Sequence, residues 1–454
     1  MMCRYILKSL FIATFLLVVS ISAGAQPAEV PKIETENLVG RGYKLVVEKL
    51  EFDGFPGLQS FAYAQHQGKW LILGGRTDGL HRRQPFASFA LSGTNRNIFV
   101  VDPESKQVWK ASVTELPAPL SEQLYSSNME FLQDGNFLYL IGGYGISKSL
   151  GKHLTHDKLI SVKIDCLVAE VQKGKVTEAC FQQLADPMFA VTGGQIGKIG
   201  ETIYLVGGQR FDGRYNPMGP DHGPGFSQKY ITEIRKIRIK HGSDGLGFDN
   251  LGAATDSENL RRRDFNMLPQ IFPGNKKGFT IFSGVFRPDI DLPFTNTVDV
   301  FPEKHLVKGS FNQFLSHYHS AKVALYDSSK KRMENIFFGG ISQYEVVEGV
   351  LKRDDNVPFV KTVSKVTREK NGAMKETILG ELPGLYGASA EFAVNPNLSQ
   401  FENEIVRTEK LKGNKILLGH VIGGINSSRK NVFFGNSQTQ SDASSVVFRV
   451  WLVK

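Results

Sequence analysis

The sequence predicts an all-β protein built from six copies of one four-stranded module, and three observations carry that expectation. First, six apolar runs end in a small-small pair: Gly74-Gly75, Gly142-Gly143, Gly207-Gly208, Ser283-Gly284, Gly339-Gly340 and Gly423-Gly424, preceded by WLIL, LYLI, IYLV, FTIF, IFF and HVI. Glycine supplies the positive φ that turns a chain away from a strand. The second glycines stand 68, 65, 76, 56 and 84 residues apart, the spacing of a repeat with loops of variable length. Second, the first module alternates at period 2 through 60–66, 69–73, 97–102 and 107–110, which reads as four antiparallel strands. Third, the last module is one strand short, with strands at 388–394, 415–422 and 444–453, while 43–52 is a strand with no module of its own. Pairing the two ends removes an open sheet edge, so 43–52 is expected as the outer strand of the last module.

In the first module Asp102-Pro103 follows the third strand and Trp109 sits in the fourth. With the diglycine closing the second strand, this resembles the kelch repeat. The other five modules keep the small-small pair without the Trp, and Ser283 replaces one glycine, so the chain resembles a divergent member of that family. The resemblance implies a six-bladed kelch-type β-propeller with four antiparallel strands per blade, spanning 43–454. Its blades average about 71 residues, against ~50 for a compact kelch unit. The surplus falls after the diglycines, at 76–94, 209–228 and 341–360, and in a charged insertion at 395–411.

First strands of a propeller surround its axis, where large side chains crowd. Ser126-Ser127, Thr192-Gly193-Gly194, Ser320-Ala321 and Gly387-Ala388-Ser389 are small there. The fourth module departs with Phe265-Asn266-Met267, an asymmetry able to narrow the channel or shape a pocket.

Residues 1–25 read as a signal peptide: Arg4 and Lys8 form a basic start, Leu10 to Val19 is apolar, and Ala23-Gly24-Ala25 precedes Gln26 as a small-x-small cleavage site. The apolar run is shorter than the ~20 residues of a membrane span, and no later segment approaches that length. An exported protein of the periplasm, cell surface or medium is expected, with 26–42 as an N-terminal linker and no transmembrane segment. Cleavage lowers the formal charge from +9 to +7 and leaves two cysteines, Cys166 and Cys180. Placed on the third and fourth strands of the second module, they are expected to form a disulfide in an oxidising compartment. Basic residues are scattered, and the densest run, Arg261-Arg262-Arg263, is followed by Asp264, so it reads as solvated surface and excludes a nucleic-acid stripe.

Loops joining second to third strands share a face with those joining one module to the next. Polar groups cluster there, and long loops on a rigid scaffold are where function concentrates. The candidate ligand-binding residues are Arg76, His81, Arg210, Arg287, His317, His319 and Tyr344, bordering the mouth of an axial channel. Guanidinium groups suit carboxylates and hydroxyls, and tyrosine offers a stacking surface. On a strand His317 and His319 point the same way, but two histidines without a third ligand do not make a metal site, so no metal is expected. The loop 216–225 is rich in turn formers and exposes Asp221 and His222.

The resemblance brings three functional classes. Copper-radical oxidases on this fold need a cysteine cross-linked to a ligand tyrosine, and no such set is found. Many kelch propellers are binding modules, and a monomer binding a glycan or protein ligand through the long-loop face, with no cofactor, is the expectation. The alternative is a cofactor-independent carbohydrate-active enzyme of mutarotase, epimerase or lyase type, since periplasmic sialic-acid mutarotases are exported six-bladed kelch proteins.

Overall fold

A computed structural model describes residues 33–454 except 83, 217–222, 224, 244 and 434–439. The signal peptide, its cleavage site, residues 26–32 and the pair Asp221 and His222 lie outside the described residues. The fold is all-β and propeller-like. Alternating runs separated by Gly-containing turns form four-stranded antiparallel meanders one after another, beginning with Ala62–His66, Lys69–Leu73, Asn97–Asp102 and Gln107–Ser112. Equivalent sheets begin at Glu130–Asp134, Gln195–Ile199, Asn266–Phe272 and Ala321–Asp327. The last contains Glu391–Val394, Lys415–Ile422 and Val447–Val453, and Tyr43–Leu50 pairs antiparallel with Val447–Val453 as its outer strand. No helix among the described residues is long and apolar enough to cross a membrane.

The apolar faces of consecutive sheets share their cores. Leu71 and Val100 of the first sheet pack in one cluster with Leu138 and Ile160 of the second. The pattern repeats between each neighbouring pair, and Trp70 and Val101 of the first sheet meet Ala393, Ile422 and Val447 of the last. The sequence of cores therefore closes on itself.

The diglycines hold neighbouring sheets together as well as turning the chain. A Cβ on Gly142 would meet the Val191 carbonyl oxygen at 2.0 Å, and one on Gly423 would meet the Phe61 ring at 2.4 Å. Both glycines have positive φ. The second glycine of several pairs donates its amide to the next sheet, as Gly143 does to Val191 at 2.8 Å and Gly424 to Leu58 at 2.8 Å.

Inside these contacts runs a closed circuit of peptide hydrogen bonds. Asn128 N–H donates to the Ser60 carbonyl, Gly193 to Asn128, Asp264 to Gly193, His319 to Asp264, Ser389 to His319 and Ser60 back to Ser389, at 2.7–3.4 Å. Each residue immediately precedes, or lies close to the start of, the first strand of its sheet.

Two expectations are corrected. Residues 33–42 are not a linker, because Glu34–Thr35 pairs parallel with Met374–Glu381 and Leu38–Val39 pairs with Tyr43–Leu50. Cys166 and Cys180 are bonded, with sulfurs 2.02 Å apart, but neither lies on a strand. Cys166 is in the helix Ile164–Gln172 and Cys180 ends the 3-10 turn Glu178–Cys180, while the fourth strand is Phe181–Ala185. Ile164, Leu167, Val168 and Val171 recur at helical spacing and pack on the first shared core.

The bond closes a loop with a sequence separation of 14 residues, and a loop of that length is worth about 3 kcal/mol in the chain-entropy account. Replacing both cysteines by serine is expected to lower stability by about 2–4 kcal/mol, read as a lower urea midpoint. An unchanged midpoint would show that the helix is held by its apolar face alone.

Candidate functional site

The long loops on one face brace one another around the axis. Tyr144–Ser147 and Lys152–Thr155 from the second sheet join Gln209–Gly213 and Phe226–Tyr230 from the third in a separate four-stranded sheet. Tyr144 donates its hydroxyl proton to the Gly213 carbonyl at 2.7 Å and accepts from the Tyr215 amide at 2.9 Å. Arg214 reaches the first sheet's loop, donating to the Ser88 carbonyl at 3.0 Å.

These loops enclose an axial pocket of about 140 Å³ above the circuit of peptide bonds. Gln59, Ser127, Thr192, Arg263, Tyr318 and Ala388 each contribute from a strand start, as the repeat register requires. Phe89, Tyr144, Tyr215, Phe286 and Phe433 form apolar walls. A wider vestibule of about 540 Å³ lies outside, and Tyr215, Arg263, Phe286 and Tyr318 line both spaces.

Arg263 and Asp264 give the floor its polarity. The Arg263 side chain is 12% exposed, its guanidinium 3.4 Å from the Asp264 carboxylate and 3.3 Å from the Tyr230 hydroxyl. It also lies over the Phe286 ring at 5.3 Å, leaving part of its donor fork toward the pocket. Burial pushes the Asp264 carboxyl above its usual range, opposed by the charges of Arg263 and His319. Burial likewise holds the Tyr318 phenol well above its ordinary value, so it stays a neutral donor. Gln209 lines the same space and accepts from the Gln228 amide at 2.5 Å. The site thus offers aromatic faces beside a guanidinium, a carboxyl, a phenol and an amide.

Of the residues expected from sequence, Arg76, His81 and His319 line this pocket. Arg76 is already occupied: only 5% exposed, it grips Asp78 with both arms at 2.5 and 2.6 Å and donates to the Ala90 carbonyl at 2.9 Å. His81 packs among Phe89, Tyr215 and Phe433, and burial holds its imidazole at about 4, hence neutral. His319 faces Glu391, with Nε2 3.1 Å from the carboxylate.

Arg210, Arg287, His317 and Tyr344 do not line the pocket, which corrects the single-rim expectation. Arg210 sits between Gln209 and Phe211, both of which face the pocket, so strand alternation sends it the other way. There it pairs with Asp212 at 2.8 Å, as Arg287 pairs with Asp289 at 2.5 Å on an exposed loop. His317 and His319 precede the strand, which begins at Ala321, and diverge. His317 is fully buried, with Nε2 3.0 Å from the Gln313 carbonyl and Nδ1 accepting from the Gln343 amide at 3.0 Å. Tyr344 packs edge-on against Phe314 and His317.

The basic run read as solvated surface is also corrected. Arg262 is fully buried over Phe294, donating to the Asn259 and Ser283 carbonyls, and Arg261 stacks on Tyr230. Register was the signal that could have found the site: Arg263-Asp264 precedes Phe265 as Gln59-Ser60 precedes Phe61.

No family model matches the chain, and no curated protein matches it. A solved structure described as "Structure of YjhT" aligns over 87% of this chain and 95% of its own length, at 12% identity and a TM-score of 0.49.

Burial holds His317 at about 4 in the fold, whereas an unfolded histidine takes a proton near ~6.5. Between those values the unfolded state binds more protons, so stability present above about pH 6.5 is lost as pH falls toward about 4. His317→Gln is expected to flatten this acid limb in unfolding curves measured across the window. An unaltered slope would assign it to other groups.

Proposed function

We propose that this chain is an exported, monomeric, kelch-type propeller of six blades that binds a glycan through the axial pocket of its long-loop face, without a cofactor. The six-blade count is supported by the six-membered circuit of peptide bonds and by the cyclic order of shared cores. The Cys166–Cys180 bond supports passage into an oxidising compartment. Pairing of the N-terminal strand with the C-terminal one leaves no module that needs a second copy to complete it.

The observation that carries the ligand class is the juxtaposition of aromatic walls with Arg263, Asp264 and Tyr318 in one recessed space. A sugar has apolar C–H faces that rest on rings and hydroxyl edges that accept from guanidinium and donate to carboxylate. A protein ligand would find a recess here, not a broad exposed patch, which favours a glycan unit inserted end-on.

A second reading is supported by Asp264 and His319 at the floor: a cofactor-independent carbohydrate-active enzyme of mutarotase, epimerase or lyase type, in which these groups move protons. Asp264→Asn separates the two, because an enzyme loses turnover while retaining ligand and a binding module has no turnover to lose.

A panel of glycans screened by thermal stabilisation identifies the ligand, since ligands of the native state raise apparent stability. Arg263→Ala is expected to weaken its binding by about 1.5–3 kcal/mol, the range for hydrogen bonds to a charged group. Arg210→Ala and Arg287→Ala are expected to leave affinity unchanged. Full affinity in Arg263→Ala would sink the axial-pocket assignment.

A further inference from the structure

The axial pocket and the vestibule outside it differ in size, and the difference sets how long a ligand they can hold together. A cavity of about 150 Å³ holds one six-membered ring. At about 140 Å³ the axial pocket therefore has room for a single sugar unit, whereas the vestibule, at about 540 Å³, lies within the range of sites that enclose larger molecules.

One wall of the vestibule is built by strand alternation. Phe226, Gln228 and Tyr230 line it, while Ser227 and Lys229, between them on the strand Phe226–Tyr230, do not. At ~3.4 Å per residue the ring, amide and second ring make a stripe about 13 Å long, more than one sugar ring covers. Register fixes its direction. Tyr230 pairs with Gln209, which lines the axial pocket, and Phe226 pairs with Gly213, which does not. The Tyr230 hydroxyl also accepts from Arg263 Nε at 3.3 Å, so the stripe starts beside the axial pocket and leads away from it.

Neighbouring side chains hold the stripe in place. Phe211 stacks on Phe226 with ring centroids 4.7 Å apart, and Gln228 donates to Gln209 at 2.5 Å. The Arg261 guanidinium lies over Tyr230 at 4.0 Å and donates to the Phe286 carbonyl at 2.7 Å.

Polar groups line the same space. Asp291 comes from a loop of the fourth sheet, and Asp355 and Asn356 from a loop of the fifth. Hydrogen bonds from Arg353, at 2.6 and 3.1 Å, and from the Gln343 amide, at 2.7 Å, hold the Asp355 carboxyl below its usual range, so it stays an acceptor. Rings for apolar C–H faces and carboxylate and amide groups for hydroxyl edges, the pairing found in the axial pocket, thus continue outward.

Resting on the glycan reading of the axial pocket, we propose that the vestibule is a second subsite and that the ligand is an oligosaccharide held by its end, with the terminal unit in the axial pocket and the next units along Tyr230, Gln228 and Phe226.

The test uses the full chain and four series running from monosaccharide to tetrasaccharide, built from glucose, N-acetylglucosamine, xylose and galacturonic acid, followed by thermal shift and calorimetry. In the series that binds, the trisaccharide is expected to show a Kd at least tenfold below that of its monosaccharide. Phe226→Ala is expected to raise the trisaccharide Kd about fivefold and to leave the monosaccharide Kd unchanged. If Phe226→Ala fails to fold, Phe226→Leu, which keeps apolar bulk against Phe211 and removes the ring, is read in the same way. A trisaccharide that binds no tighter than its monosaccharide, a trisaccharide affinity unaltered in the Phe226 variant, or equal weakening of both ligands would overturn the subsite and leave the axial pocket standing. Binding of no member of any series would overturn the glycan reading and the subsite with it.

Discussion

The closed circuit of six peptide hydrogen bonds is the constraint on which the rest of this structure depends. In five of the six modules the residue that passes an amide to one neighbour and a carbonyl to the other does so at a left-handed turn, and His319 makes the same two bonds without one. Ser60, Asn128, Gly193, Asp264 and Ser389 make that turn with φ between 50° and 69°. Glycine enters that region freely, and Asn and Asp tolerate it better than other residues. Asp264 is therefore suited to its backbone position, and the same choice delivers a carboxyl to the channel. Backbone geometry and site chemistry are set by one residue.

Outside the circuit, the diglycines decide how closely the sheets approach. Because a Cβ on Gly142 or Gly423 would overlap the adjoining sheet, the apolar faces meet close to the axis and continue outward as the shared cores. A ring of sheets packed in this way has little freedom to hinge. The loops above it inherit that rigidity through Tyr144, His153 and Arg214, which bond across from one module's loop to another's. Walls braced in this way need little ordering, which is the property that lowers the entropic cost of binding in any pocket.

Features that depend on local pattern were legible in the sequence. The small-small pairs, the four strands of the first module and the pairing of the two chain ends follow from period-2 alternation and from the need to cover an open edge. Features that depend on where a side chain points were not. Arg210 and Gln209 are neighbours in sequence, yet strand alternation puts Gln209 in the pocket and Arg210 on an exposed ion pair. Arg261-Arg262-Arg263 reads as a solvated charge run because charge alone is visible in a sequence. Ring faces and backbone carbonyls contributed from other segments bury Arg262 fully and Arg261 and Arg263 in part. The stretch before Cys166 alternates like a strand and hides the helix at Ile164–Gln172, although the helix's apolar residues recur at helical spacing.

Buried charges elsewhere in the molecule show what a structural role looks like here. Arg368 donates to Asp299 at 2.6 and 3.0 Å and to the Thr280 hydroxyl at 3.0 Å, locking the fourth and fifth sheets. Lys365 donates to the Leu38 carbonyl at 2.8 Å and meets Glu334 and Glu36, fixing the N-terminal segment. In both networks the charge meets an opposite charge and neutral acceptors or donors, as burial demands. The channel groups break that pattern. Among the described residues Glu130 is bonded through one oxygen and the Lys322 ammonium makes no hydrogen bond but faces the charges of Glu391 and Glu130, while Arg263 stands at 3.3–3.4 Å from the groups it faces. Small apolar side chains would fill the axis at less cost to stability, as Ala388 and Gly194 do at other strand starts. Polar groups that are only partly satisfied where every first strand converges set the channel apart from these structural networks, and the ring of peptide bonds divides them into an upper and a lower set.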